Sequence, residues 1–130
     1  MRLPIIFHTA EPLFLPWHYP QWLQGLVYRT IGKASPRGAT LLHEEGFKVG
    51  THRYKLLTFS WLLGKKAEAG PGGIRLHPPL HWWVASPLSV PLEALATGLL
   101  AAGIARLGDT LLTVQRVATV PLPALAGRVL

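Results

Sequence analysis

Residues 91–120, PLEALATGLLAAGIARLGDTLLTVQRVATV, carry a change of period. Over 91–107, Leu92, Leu95, Ala96, Leu99 and Gly103 recur at intervals of three and four, the stripe of an amphipathic helix. Pro91 sits at its start, where the first turn tolerates a residue without an N–H. From Thr110 the period falls to two, which predicts a strand over 110–120, and the alternation slips at Gln115-Arg116, the mark of a bulge or a sheet edge. The C-terminal part of the chain is therefore helix then strand.

Working outward, the N-terminal end reads in the opposite order. Leu3, Ile5, Phe7 and Thr9 share one side of residues 2–9 and Ile6 and His8 the other, which predicts a first strand. Pro12, Pro16 and Pro20 make 11–20 an extended loop. Leu23, Leu26, Val27 and Ile31 then form the stripe of a first helix ending at Gly32, with Gln24 and Tyr28 along its wetter side. Ser35-Pro36 opens a short second helix to Gly46, with His43 in its last turn. RYKLLTFSWLL at 53–63 predicts a largely buried second strand. Residues 64–73 read as a loop, and 74–77 with 81–85 as a third strand bent or interrupted at Pro78-Pro79. The order strand, helix, strand, strand, helix, strand is the βαββαβ, ferredoxin-like arrangement, an α+β fold. It predicts a four-stranded antiparallel sheet with both helices on one face over 1–120, and 121–130 as a linker or the start of a further domain. That fold hosts many functions and selects none.

Composition narrows the field. With no cysteine among 130 residues, a disulfide scaffold and a Cys-based zinc site are excluded. At 49% hydrophobic and 15% charged the chain is too apolar for a disordered tail. Pro4, His8, Glu11, Pro12 and Pro16 break any signal-peptide core, and Glu93, Thr97 and Arg106 interrupt the longest apolar run. The expectation is a soluble, cytoplasmic chain with no membrane partner.

The net charge of +7 is unevenly spread. Residues 29–66 hold Arg29, Lys33, Arg37, Lys48, Arg53, Lys55, Lys65 and Lys66 against Glu44 and Glu45, a net +6. Such a footprint fits an anionic partner such as nucleic acid, with Arg29, Lys33, Arg37, Lys48 and Arg53 as candidate contacts. Solvated loop and helix-end charges are the alternative.

Two-metal phosphodiester cleavage needs convergent carboxylates, and the one acidic pair, Glu44-Glu45, points to different sides of a helix. A phosphate-binding Gly-Lys-Ser/Thr loop is absent, and Pro78-Pro79 forbids the helix that would align His77 with His81 on a metal. Metal-free, cofactor-free acid–base chemistry remains. RNA carries its own nucleophile in the 2′-hydroxyl, and histidine, tyrosine and lysine can supply the base, the acid and the cation. His43 is the candidate acid or base, or else an ordinary last-turn histidine. Tyr28 either donates to a phosphate or is a boundary residue with a wet tip. Lys55 either steadies the pentacoordinate phosphate or is a rim lysine. Trp17 and Trp22 are candidate stacking platforms, whereas at least two of Trp61, Trp82 and Trp83 are expected in the core.

Three segments, Leu23-Gln24-Gly25-Leu26-Val27-Tyr28, then Leu41-Leu42-His43-Glu44-Glu45-Gly46-Phe47-Lys48, then Tyr54-Lys55-Leu56-Leu57-Thr58-Phe59-Ser60, together with the Glu-Ala-Leu-Ala-x-Gly-Leu-Leu run of 93–100, resemble the N-terminal half of the CRISPR-associated endoribonucleases of the RAMP superfamily. The resemblance implies metal-independent cleavage of precursor CRISPR RNA within its repeats, leaving a 2′,3′-cyclic phosphate and a 5′-hydroxyl. It carries the family's tyrosine, histidine and lysine onto Tyr28, His43 and Lys55. CRISPR repeat RNA is the implied partner, with a second copy or other CRISPR effector subunits beside it. A non-catalytic RNA-binding subunit of the same superfamily is the alternative. Members of the family are about twice as long and continue into a second ferredoxin-like domain, which would begin where this chain stops at Leu130.

Overall fold

The computed structural model describes residues 2–34, 47–49, 52–54 and 57–118. Their elements run β1 (Arg2–His8), β2 (Leu13–Pro16), α1 (Tyr19–Ala34), β3 (Phe47–Val49), β4 (His52–Tyr54), β5 (Thr58–Phe59), β6 (Leu63–Gly70), β7 (Gly73–Ala85), α2 (Ser89–Ala102), β8 (Ile104–Leu107) and β9 (Thr110–Val117). β1 lies between β7 and β9, with β8 beyond β9 and β6 on the far side of β7, and every pairing is antiparallel. The four strands that define a ferredoxin-like sheet are thus β9, β1, β7 and β6 in that order, as the βαββαβ reading predicted.

Alternation along β1 sends Leu3, Ile5 and Phe7 to zero exposure. They meet Leu80, Trp82 and Val84 of β7, Leu23, Leu26, Val27 and Ile31 of α1, and Leu92, Leu95 and Leu99 of α2 in one core. Both helices cover that face. The other face, with Pro4, Ile6 and His8, is only partly buried or exposed. Gly98 lets the helices approach closely, since a Cβ there would lie 2.5 Å from Thr30 Cγ2.

Several elements differ from the sequence reading, each for a local reason. The proline-rich loop contains a strand, β2, which pairs with the first half of β7 through Leu13↔Leu76 and Leu15↔Ile74. α1 begins at Tyr19 and runs through Gly32 to Ala34. Residues 53–63 are not one strand. Residues 52–54 pair with 47–49 in a separate ribbon, while Thr58 and Phe59 pair with Ala85 and Val84. Ser60 is held by three hydrogen bonds that side chains and β7 share: its N–H donates to Trp83 O at 2.8 Å, its carbonyl accepts from Trp82 Nε1 at 3.0 Å, and its Oγ accepts from Trp83 N–H at 3.0 Å. Two residues on, Leu62 N–H donates to Tyr19 Oη at 3.1 Å. Burial pushes that phenol above the usual tyrosine range. These side-chain partners end strand pairing around Ser60, and the ladder restarts at Leu63.

The long second strand is β6, in the segment read as a loop. Its residues are almost all exposed, so no apolar alternation announced it. β7 runs uninterrupted through Pro78-Pro79, a cis peptide. On one edge its partner changes there from β2 to β1, and on the other the register slips opposite Lys65. Proline supplies no N–H, and this is where the ladder asks for none. The slip expected at Gln115-Arg116 is present: Ile6 faces Arg116 and Phe7 faces Val114, leaving Gln115 as the extra residue of a bulge. α2 stops at Ala102, because Gly103 adopts φ 73° and its N–H donates to Leu99 O at 2.9 Å. Residues 104–107, read as the end of that helix, are strand β8.

At Gly73, β7 lies close against β2. A Cβ at this position would lie 2.1 Å from Leu15 O and 2.7 Å from the Phe14 ring. Gly73→Ala is therefore expected to destabilise the domain by about 1–3 kcal/mol, the range of overpacking that forces backbone apart. Urea unfolding at equilibrium checks it, and a change within about 0.5 kcal/mol would contradict the close approach.

Candidate nucleic-acid interface

α1 presents three different sides. Its core side carries Leu23, Val27 and Ile31. Leu26, Arg29, Thr30 and Lys33, spaced by three and four residues, line a cleft of about 370 Å³ against the end of α2 and the β8–β9 hairpin. Tyr28, half-buried, lies about 100° round the helix from Arg29 and about 140° from Lys33, on the opposite flank.

The cleft is cationic with an apolar floor. Arg29, Lys33 and Arg106 are exposed at its rim, and no Asp or Glu lines it. Arg29 Nη2 donates to the Arg106 carbonyl at 3.0 Å, which ties the guanidinium to the hairpin. Leu26 and Ala105 are buried beneath, and Ile104 and Leu111 flank the floor at 51% and 54% exposure. Large apolar side chains at half exposure beside three cations make this surface unlike a solvated helix face.

A second, smaller hollow of about 250 Å³ lies on the sheet face away from the helices, among Ile6, His81, Trp83 and Arg116. The Arg2 guanidinium stands 5.0 Å from the Trp83 ring centroid. On the exposed β6–β7 hairpin, His77 Nε2–H donates to Glu68 Oε1 at 2.8 Å, and that bond, helped by Lys66, holds the Glu68 carboxyl below the usual carboxylate range.

Of the residues singled out from sequence, the structure brings Arg29 and Lys33 together and adds Arg106, which the sequence reading had placed inside a helix. Lys48 and Arg53 are register partners across β3 and β4. His43, Lys55 and Arg37 lie outside the described residues, as do the short helix expected over 35–46 and the segment 121–130. Only Trp82 among the three strand tryptophans is in the core, at zero exposure, while Trp61 and Trp83 are exposed at 51% and 37%. Trp83 falls on the solvent side of the alternation along β7, and Trp61 lies in the break between β5 and β6 rather than in a strand. Trp22 packs against the core and beneath Gly108, where a Cβ would meet its ring at 2.4 Å, so it is a packing residue. Trp17 is 44% exposed, with Nε1 donating to Gly70 O at 3.2 Å. Among the described residues no three His, Asp or Glu side chains converge, and no helix is long and apolar enough to cross a membrane.

The strand order and the two helices on one face define a ferredoxin-like α+β domain bearing a cationic cleft. The family model described as CRISPR-associated protein Cas6, N-terminal, matches residues 14–118, and the chain belongs to that family. No curated protein sequence matches it. Among solved structures it resembles one described as CRISPR associated protein Cas6, with a TM-score of 0.69 at 23% identity over 95% of this chain and 50% of that one. It also resembles the product of a Cas6-related gene from Pyrococcus furiosus, with a TM-score of 0.77 at 20% identity over 95% and 49% of the two chains. A third, described as an RAMP protein binding different RNA substrates, gives 0.74 at 18% identity over 95% and 49%. At these identities the likeness is one of fold. The chain spans about half the length of these relatives.

Proposed function

We propose that this chain is the N-terminal domain of a metal-independent endoribonuclease that cuts precursor CRISPR RNA within its repeats. The observation that carries the reading is the family match over residues 14–118. The cationic cleft beside α1, the basic and aromatic hollow on the open sheet face, and a neighbour described as a Cas6 product complex support an RNA ligand.

In the proposed reaction the 2′-oxygen attacks the adjacent phosphorus, a base takes the 2′-hydroxyl proton, the P–O5′ bond breaks, and an acid protonates the departing 5′-oxygen. The products are a 2′,3′-cyclic phosphate and a 5′-hydroxyl. His43 is assigned acid or base work because imidazole titrates near neutrality. Lys55 is assigned the charge of the crowded phosphorane as a point cation, and Tyr28 a hydrogen bond to the phosphate or the 2′-hydroxyl. Arg29, Lys33, Arg37, Lys48 and Arg53 are assigned to the RNA backbone, where their contribution depends on salt.

The test is cleavage of a repeat-containing RNA with EDTA present. The expected result is a single cut that persists under chelation, yields a cyclic phosphate, and disappears when the nucleotide 5′ to the cut carries 2′-deoxyribose. Tight, salt-dependent binding without cleavage would instead assign the chain to a non-catalytic RNA-binding subunit.

A further inference from the structure

Building on the RNA reading above, we propose that the cleft between α1, the end of α2 and the β8–β9 hairpin seats one nucleotide of single-stranded RNA, with Arg106 as an RNA contact. Its volume, about 370 Å³, is in the range of small-molecule sites and larger than a lone phosphate needs. Its two chemistries match the two ends of a nucleotide. Ile104 and Leu111, each about half exposed, offer aliphatic surface on which a flat base can lie. Arg29, Lys33 and Arg106 stand at the rim, where a phosphate would follow. The bond from Arg29 to the Arg106 carbonyl ties the helix to the hairpin, so the two walls of the cleft are joined at its mouth. A duplex offers no free base to such a cleft, which makes the seat selective for unpaired RNA. Because Tyr28 occupies the other flank of α1, a strand seated here reaches it only by crossing the exposed side of the helix.

The experiment is fluorescence anisotropy of a labelled single-stranded RNA of mixed sequence, titrated with the full chain at several salt concentrations. Arg106→Ala is expected to weaken binding about 5- to 10-fold and to reduce the slope of log K against log salt by about one. Ala102→Leu adds a branched side chain at the cleft wall without altering charge, and is expected to weaken binding about 3- to 5-fold with the slope unchanged. Both positions are exposed, and thermal unfolding is expected to match the wild type. If the wild type binds RNA but Ala102→Leu binds as tightly, the seat is wrong and Arg106 is at most a surface charge. If both variants match the wild type, the cleft has no RNA role while the RNA reading stands. If the wild type shows no salt-dependent RNA binding, that reading fails and this one with it.

Discussion

Replacing Trp82 with alanine is expected to cost about 3–5 kcal/mol, enough to unfold a sizeable fraction of a domain whose total stability is on the order of 5–15 kcal/mol. The side chain has zero exposure at the centre of the sheet. Its ring lies 6.0 Å from Phe7, stacked, and 6.0 Å from Phe59, edge on. Truncation opens a cavity that β1, β7 and both helices cannot all move to fill. It also leaves the Ser60 carbonyl without the Nε1–H donor it has at 3.0 Å, a further desolvation cost. Trp82→Phe separates the two terms, since it keeps most of the volume and loses the donor, and about 1–2 kcal/mol is expected. Trp61→Ala is the internal comparison: at 51% exposure, with one edge-on contact to Tyr19, it is expected to cost under about 1 kcal/mol. Urea denaturation of the three variants orders them. A loss at Trp82→Ala no larger than at Trp61→Ala would mean that the sheet does not close over this ring.

The different fates of these tryptophans show what periodicity conveys. Alternation predicted β1 and the C-terminal strand because each buries one face, and its slip at Gln115-Arg116 marked where the bulge lies. It missed β6 because a strand exposed on both faces has no apolar period, and it fused 53–63 because that run is rich in aromatic and aliphatic residues while the Tyr19 and Trp82 side chains and β7 hold the backbone of Ser60 and Leu62 by hydrogen bonds. Partners remote in sequence decide such breaks. Arg106 was hidden by a different error. The apolar stripe of 91–107 runs on past the helix, and the stop lies in Gly103 and in the Gly108-Asp109 turn, where Gly108 takes φ 61°. Giving those glycines more weight than the stripe would have exposed the hairpin, and with it the third cation of the cleft. Arg29 and Lys33 were legible because a four-residue spacing on a helix puts two side chains on one side whatever the rest of the fold does.

His43→Ala is expected to lower the rate of RNA cleavage by about 10²- to 10⁴-fold, the contribution of a positioned general acid or base, while leaving RNA affinity within about threefold. The reasoning is one of division of labour. A residue that only exchanges a proton with the 2′-hydroxyl or the 5′-oxygen makes its interaction in the transition state, so its removal is read in the rate at saturating RNA. Arg106→Ala, on the cleft rim, is expected to do the reverse, shifting the RNA concentration at half-saturation and leaving the saturated rate nearly unchanged. The pH profile adds a signature that a structural role would not give. With imidazole acting, the logarithm of the single-turnover rate carries a bend from its titration, and the alanine variant is expected to lose that bend. Single-turnover cleavage across pH, with EDTA throughout, measures all three quantities on the same samples. An unchanged rate in His43→Ala would remove histidine from the chemistry and leave Tyr28 and Lys55 to account for it. A loss of affinity equal to the loss of rate would instead make His43 a binding residue, and the chain's role would shift toward holding RNA rather than cutting it.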